Sequence, residues 1–152
     1  MLGLFKWIIW IIGLLIVSIS CKKEPTPPPN NSNNDTSNIT QAIYVLNEGL
    51  FNMNNASITS YNINNQQSST DIFEIVNGRK IGDTGNDMKI YGNKMYVVVS
   101  VSSQIEVINP KQCKSIKQIP LFNGEKPRQP RYIDFYKNFA LVCCFDGTVA
   151  VI

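Results

Sequence analysis

The sequence predicts an all-β fold, a β-propeller built of four-stranded antiparallel blades, and three observations support this prediction. Residues 41–152 are a succession of short runs of β-branched and aromatic residues, a pattern typical of strands. Turn residues separate the runs, among them Gly92-Asn93, Asn123-Gly124 and Asp146-Gly147. A group of strands then recurs at a spacing of about 40–50 residues, which is the period of a propeller blade.

Ten strands are predicted, each a β-branched or aromatic run between turn residues, and no window favours an amphipathic helix. The strongest hairpin signal is Asp146-Gly147, because a type I′ turn needs positive φ at both central positions. In chain order the predicted strands are Ile43–Asn47, Ser57–Ile63, Ile72–Val76, Asp87–Tyr91, Met95–Val101, Ile105–Asn109, Ser115–Leu121, Tyr132–Tyr136, Phe139–Phe145 and Thr148–Ile152.

The repeat divides these strands into blades. Tyr96–Val99 resembles Ala140–Cys143, and Ile105–Ile108 resembles Val149–Ile152, in each case 44 residues later. With strands lettered A to D outward from the propeller axis, the segment 87–121 forms a complete blade. The blade before it has B, C and D, and the blade after it has A, B and C, so residues 41–152 are predicted to be about two and a half blades of a larger propeller, incomplete at the C-terminus. The alternative is a complete ten-stranded β-sandwich.

The N-terminus predicts export. Lys6 precedes an uncharged run, Trp7–Ser20, which is too short to span a bilayer comfortably and ends in small residues before Cys21. Residues 1–20 are therefore interpreted as a bacterial lipoprotein signal peptide, and Cys21 as the acylated residue that anchors the protein to a lipid bilayer. An uncleaved signal anchor is the alternative.

Residues 21–40 are predicted to be a disordered tether. Pro, Asn, Ser and Thr dominate them, and they offer too little apolar surface to offset chain entropy. Three consecutive prolines, Pro27–Pro29, favour an extended polyproline conformation, which makes the tether a semi-rigid spacer.

Composition excludes several classes of function. The chain has no histidine and no Cys-x-x-Cys pair, which argues against the familiar hydrolases, a metal site or a redox site, and no cofactor is predicted. The net charge of +3 is too small to indicate a nucleic-acid-binding surface. Cys113, Cys143 and Cys144 are interpreted as small apolar residues that fill space in the core. One disulfide, from Cys113 to Cys143 or to Cys144, is the alternative.

Three segments resemble the opening of the YncE-like β-propeller surface lipoproteins of Bacteroidetes. They are Tyr44–Gly49, Asn55–Tyr61 and Val76–Asp83, and the Met95–Lys111 pattern and Pro130–Tyr132 agree with the same family. The resemblance covers essentially everything after Gln41. It implies a bacterial outer-membrane location, facing the cell surface or the periplasm. Some relatives with this architecture act beside outer-membrane transporters and capture a corrinoid such as cobalamin.

Propeller topology places the candidate ligand-binding residues on one face, because D-to-A connections and B-to-C loops share one side of the disc. Amide, carboxylate and guanidinium groups with one aromatic ring suit a polar small molecule or a glycan. The connections contribute Gly82, Asp83, Asn86, Asp87, Lys126, Arg128 and Arg131, and the first B-to-C loop contributes Glu48, Phe51, Asn52 and Asn54. Turn capping by Asp83 and Asn86, and bracing of blades by Arg131, are the structural alternatives.

The leading functional hypothesis is a non-catalytic lipoprotein that binds a small molecule or glycan for an outer-membrane transporter. A protein–protein interaction propeller is the second hypothesis. The third is the N-terminal part of a propeller enzyme whose active site lies downstream.

Overall fold

The computed structural model describes residues 41–152. The predicted signal peptide, the tether and Cys21 lie outside these described residues. Within them, no helix is both long enough and apolar enough to cross a membrane.

The described chain folds into four antiparallel sheets, which confirms the all-β class. Sheet 1 contains β1 (Ala42–Asn47), β2 (Ser57–Asn62) and β3 (Gln67–Ser69) and is followed by a short helix, α1 (Ile72–Asn77). Sheet 2 contains β4 (Gly85–Tyr91), β5 (Lys94–Val99), β6 (Gln104–Asn109) and β7 (Lys114–Pro120). A small hairpin of β8 (Phe122–Asn123) and β9 (Lys126–Pro127) leads to sheet 3, with β10 (Pro130–Tyr136), β11 (Phe139–Cys144) and β12 (Val149–Val151).

Helix α1 corrects one prediction, since Ile72–Val76 was expected to be a strand. The Asp71 carboxylate caps the helix by accepting a hydrogen bond from the Glu74 N–H at 3.3 Å. Gly78 ends it with a φ of 67° and donates its N–H to the Glu74 carbonyl at 2.8 Å. Phe73 is fully buried. Two caps and one buried aromatic residue therefore stabilise a helix too short to show a period in the sequence, while β3 serves as the third strand of sheet 1.

The core lies on both sides of sheet 2. Val97 packs with Ile58 and Ile108 in a cluster between sheets 1 and 2, whereas Val98 packs with Ile133 in a cluster between sheets 2 and 3. Successive side chains of a strand point to opposite faces, so β5 is apolar from Met95 to Val99 because both its faces are covered there.

The Asn77 side chain joins α1 to sheet 2. Its amide group donates to the carbonyls of Phe73 and Cys113, both at 2.9 Å, and its carbonyl oxygen accepts the Ser115 N–H at 2.9 Å. A side chain bonded to three backbone groups fixes the end of α1 against β7.

Arg79, two residues after the end of α1, makes a second link to sheet 2. Its guanidinium donates to the Glu106 carboxylate at 2.8 Å, and the Glu106 side chain is fully buried. Ser115 and Gln118 also donate to this carboxylate. The guanidinium carbon lies 5.0 Å from the centre of the Phe73 ring. The Asn77-Gly78-Arg79 sequence is thus a structural junction between α1 and sheet 2.

The three described cysteines are free thiols, and burial of Cys113 and Cys144 agrees with the apolar-filler interpretation, whereas Cys143 does not fill an apolar space. Cys113 belongs to the cluster between sheets 1 and 2, and Cys144 to the cluster between sheets 2 and 3. Burial, with a smaller contribution from the Asp71 carboxylate, raises the pKa of Cys113 to about 11. Cys143 is exposed.

We expect Cys143 to react first with a maleimide at pH 7 in the folded protein. Cys113 and Cys144 should react only after unfolding, because a buried thiol is both inaccessible and, at Cys113, protonated. Peptide mapping by mass spectrometry measures each site separately, and Cys143→Ser is the control. Rapid labelling of Cys113 in the native state would contradict the packing described above.

Candidate functional site

A cavity of about 330 Å³ brings together three of the predicted site residues, Glu48, Phe51 and Arg131. Glu48 and Phe51 come from the loop between β1 and β2, and Arg131 comes from the start of β10. Phe145, after β11, completes the aromatic lining and was not predicted from the sequence. Thr84, Ser100 and Gln129 also line the cavity.

Equivalent irregularities occur where the first strands of sheets 2 and 3 begin. The pairing register shifts between Gly85 and Asp87 in β4 and between Pro130 and Tyr132 in β10, so that Asn86 and Arg131 occupy matching positions. Thr84 and Gln129, each two residues earlier, have positive φ values of 63° and 51°.

A bulge bends its strand and re-aims one side chain, and a non-glycine residue with positive φ costs roughly 1–3 kcal/mol. Such features persist only where the surrounding structure holds them in place. A bulge and a residue with positive φ therefore occur together at the start of both β4 and β10, next to the cavity.

Arg131 and Phe145 form the exposed rim. The guanidinium carbon lies 5.8 Å from the centre of the Phe145 ring, a cation–π contact. Arg131 makes no salt bridge within residues 41–152. The side chains of Phe51 and Phe145 are 69% and 71% exposed. The rim therefore presents two phenyl faces and a guanidinium with donors available to a ligand.

Asp83 lies behind the cavity and holds the loop that carries Phe51. The Asp83 carboxylate accepts the N–H groups of Asn52 at 3.2 Å and Asn54 at 3.0 Å, and the Thr84 hydroxyl at 2.7 Å. Burial by itself would raise the pKa of Asp83, but these three hydrogen bonds outweigh it and lower the pKa below its ordinary value. Asp83 and Asn54 thus shape the cavity without lining it.

Two other predicted residues, Asp87 and Arg128, are engaged within the fold, and a third, Asn86, does not line the cavity. Asp87 accepts the Ile133 N–H at 3.0 Å and so links sheet 2 to sheet 3. Arg128 donates to the Thr148 hydroxyl and lies 3.7 Å from the Asp146 carboxylate. Asn86 does not line the cavity, and its side-chain oxygen is buried without a hydrogen-bond partner among the described residues.

The site has the groups for binding, and the described residues contain no cluster of three or more Cys, Asp or Glu side chains placed to hold a metal ion. A carboxylate at Glu48 and a guanidinium at Arg131 can read donors and acceptors on a polar ligand, while the phenyl rings cover a flat or ring-shaped face.

The fold and the cavity define a domain of consecutive antiparallel sheets with a candidate ligand site. The family model described as domain of unknown function DUF5074 matches residues 41–131, more than half of the chain. The chain therefore belongs to the DUF5074 family. No curated protein matches it.

Proposed function

We propose that this protein is a non-catalytic binding lipoprotein of the bacterial outer membrane, similar to the YncE-like propellers, which holds a polar small molecule or glycan for a transporter. The observation that carries the proposal is the meeting of Glu48, Phe51 and Arg131 in one cavity. These side chains come from segments more than 75 residues apart in the sequence, yet the fold places them at one rim.

The described sheets support a propeller architecture. Strands within each sheet are neighbours in chain order, and sheets 1, 2 and 3 have three, four and three strands. A core cluster joins each consecutive pair of sheets. Apolar side chains on the outer faces of sheets 1 and 3, such as Val45 and Val149, are exposed. Further blades would cover these faces, as sheets 1 and 3 cover sheet 2.

The lining favours a compact ligand with a ring and hydrogen-bonding substituents. A volume of about 330 Å³ is near the lower end of the range for small-molecule sites. A sugar ring would lie against Phe51 or Phe145 and bond to Glu48 and Arg131. A corrinoid is larger than the cavity and would insert an amide-bearing edge.

Replacing Arg131 by Ala should weaken ligand binding by about 1–3 kcal/mol, roughly ten- to hundredfold, because the change removes a planar donor that the bound ligand would shield from water. Calorimetric titration with cobalamin and with a panel of monosaccharides measures the affinity. Arg131→Lys tests planarity, and Lys111→Ala, outside the cavity, is the matched control. Unchanged affinity together with a much lower melting temperature would show that Arg131 braces the sheets instead.

Lipid anchoring is tested separately at Cys21. Metabolic labelling with a fatty acid should mark the wild-type protein and leave Cys21→Ala unlabelled, because the variant lacks the thiol that receives the acyl chain. Equal labelling of the two proteins would contradict the anchor and leave the binding proposal standing.

A further inference from the structure

We propose that the ligand of the cavity is a zwitterion, an aromatic α-amino acid or a short peptide that carries one. Its carboxylate binds Arg131 and its ammonium group binds Glu48. This inference rests on the proposed function and narrows it, since a binding protein of that kind could take any polar small molecule or glycan. It depends on two opposite charges that line the same cavity.

Glu48 and Arg131 bring opposite charges to one cavity without neutralising each other. Both side chains line it, and neither forms a salt bridge, with the other or with any further side chain, among residues 41–152. A neutral ligand would leave both charges without a counter-ion. A ligand with a single charge would be attracted by one of them and repelled by the other. A zwitterion complements both charges, and it does so in one orientation only.

The backbone fixes the position of Glu48 relative to sheet 2. The Glu48 carbonyl accepts the N–H of Gly85, the first residue of β4, at 3.0 Å. Gly49 follows with a φ of 80°, and a Cβ atom there would lie 2.7 Å from the Ala56 nitrogen. The turn after Glu48 is therefore closely packed, and little ordering of its backbone is needed when a ligand binds.

A second set of hydrogen bonds fixes the segments that carry Arg131 and Phe145. The Gln129 N–H donates to the hydroxyl of Ser103, a buried residue between β5 and β6, at 3.2 Å. The Gln129 carbonyl accepts the Phe145 N–H at 2.9 Å. The backbones at both charged residues are thus tied to sheet 2, so the fold sets their separation before a ligand arrives.

The groups around Arg131 suit the carboxylate end of an aromatic amino acid. A guanidinium pairs its planar fork of donors with the two oxygens of a carboxylate. The contact between Arg131 and the Phe145 ring, 5.8 Å from guanidinium carbon to ring centre, is a cation–π contact and consumes no acceptor of the ligand. Phe51 and Phe145 offer exposed ring faces to the ligand side chain. Because one charge pair at an exposed rim contributes little, binding requires both charges and the ring together.

Four forms of one amino acid separate the contributions of the two charges. L-phenylalanine is zwitterionic, N-acetyl-L-phenylalanine carries only the carboxylate, L-phenylalaninamide only the ammonium group, and N-acetyl-L-phenylalaninamide neither. Calorimetric titration of the purified full chain at pH 6 should give the zwitterion an affinity about tenfold above that of each other form. The dipeptide L-alanyl-L-phenylalanine, titrated alongside, shows whether one residue or two span the charges better.

Two variants should each remove the preference for one charge. Glu48→Gln should bind L-phenylalanine about tenfold more weakly, and N-acetyl-L-phenylalanine no more weakly than the wild type does. Arg131→Gln should weaken the binding of both these ligands and leave that of L-phenylalaninamide unchanged. Glu125→Gln and Lys111→Gln, which remove the same charges outside the cavity, should bind as the wild type does. Melting curves confirm that each variant is folded.

The outcomes distinguish this inference from the proposed function. Arg131-dependent binding of cobalamin or a monosaccharide, without binding of L-phenylalanine or the dipeptide, would overturn the zwitterion and leave the proposed function standing. If none of these probes binds the folded wild-type protein, both are wrong. Equal affinity for L-phenylalanine and N-acetyl-L-phenylalaninamide would also overturn the inference, because the site would then recognise the ring alone.

Discussion

Replacing Arg79 by Ala should lower the free energy of unfolding by about 3–5 kcal/mol, because it leaves the Glu106 carboxylate buried without its cation. The Glu106 side chain is fully buried, and Arg79 is its salt-bridge partner within residues 41–152. Ser115 and Gln118 still donate to the carboxylate, but neutral donors do not replace a positive charge. The variant also loses the contact of the guanidinium with Phe73.

Urea denaturation measures this loss, and two further variants separate its causes. Arg79→Lys keeps the charge and should lose less than Arg79→Ala. Glu106→Gln in the Arg79→Ala background removes the uncompensated charge and should recover part of the stability. A loss below about 1 kcal/mol in Arg79→Ala would place this pair among ordinary surface salt bridges and contradict the structural role of the junction.

Most strands of the fold could be predicted because their signals are local. β5 and β11 are mostly apolar runs, each preceded by a turn, and the structure begins and ends them within two residues of the predicted limits. The division into sheets also follows from the sequence, since the recurrence of Tyr96–Val99 as Ala140–Cys143 places equivalent strands 44 residues apart.

Helix α1 could not be recognised from periodicity, because six residues are fewer than two turns. A capping signal was nevertheless present. Asp71 is followed three residues later by Glu74, and Gly78 comes directly after the last helical residue. The apolar run Ile72–Val76 resembles a strand when its flanking residues are ignored. Short β3, β8 and β9 were missed because their residues are mostly polar or proline and give no β pattern.

The candidate site could be predicted only in part. Propeller topology predicts that Glu48, Phe51 and Arg131 share one face, and in the structure all three line the same cavity. The sequence cannot show whether a polar side chain faces a ligand or the protein backbone. Asp87 and Arg128 have the composition of binding residues, but each bonds within the fold. For Phe145 the sequence predicts only the end of a strand.

Asp83 illustrates this limit most clearly. Its carboxylate accepts hydrogen bonds from the backbone of Asn52 and Asn54, which follow Phe51 in the same loop. The cavity therefore depends on a residue that does not line it. Replacing a positioning residue of this kind should loosen the loop and lower the stability of the fold. Because the residue is a carboxylate, the loss of stability should also depend on pH.

Replacing Asp83 by Asn should lower the free energy of unfolding at pH 7 by about 2–3 kcal/mol, because hydrogen bonds to a carboxylate are stronger than those to an amide and one amide group cannot serve the three donors equally well. Limited proteolysis should then cut between residues 49 and 55 sooner than in the wild type. Glu125→Gln, at an exposed turn, is the matched control for loss of one negative charge.

The difference in stability between wild type and Asp83→Asn should depend on pH in a defined direction. The folded-state pKa of Asp83 is lowered, so the unfolded chain binds the proton more readily, and stability rises with pH between the two pKa values. The contribution is fully present above the ordinary carboxyl pKa of about 4 and is lost as the pH falls through the folded-state value. Asp134 and Asp146, whose pKa values are also lowered, are present in both proteins and cancel in the comparison.

Urea denaturation at pH 7, 5 and 3 should therefore give nearly equal differences at the first two and a smaller one at pH 3. A difference that stays constant down to pH 3 would show that the charge of Asp83 does not hold the loop.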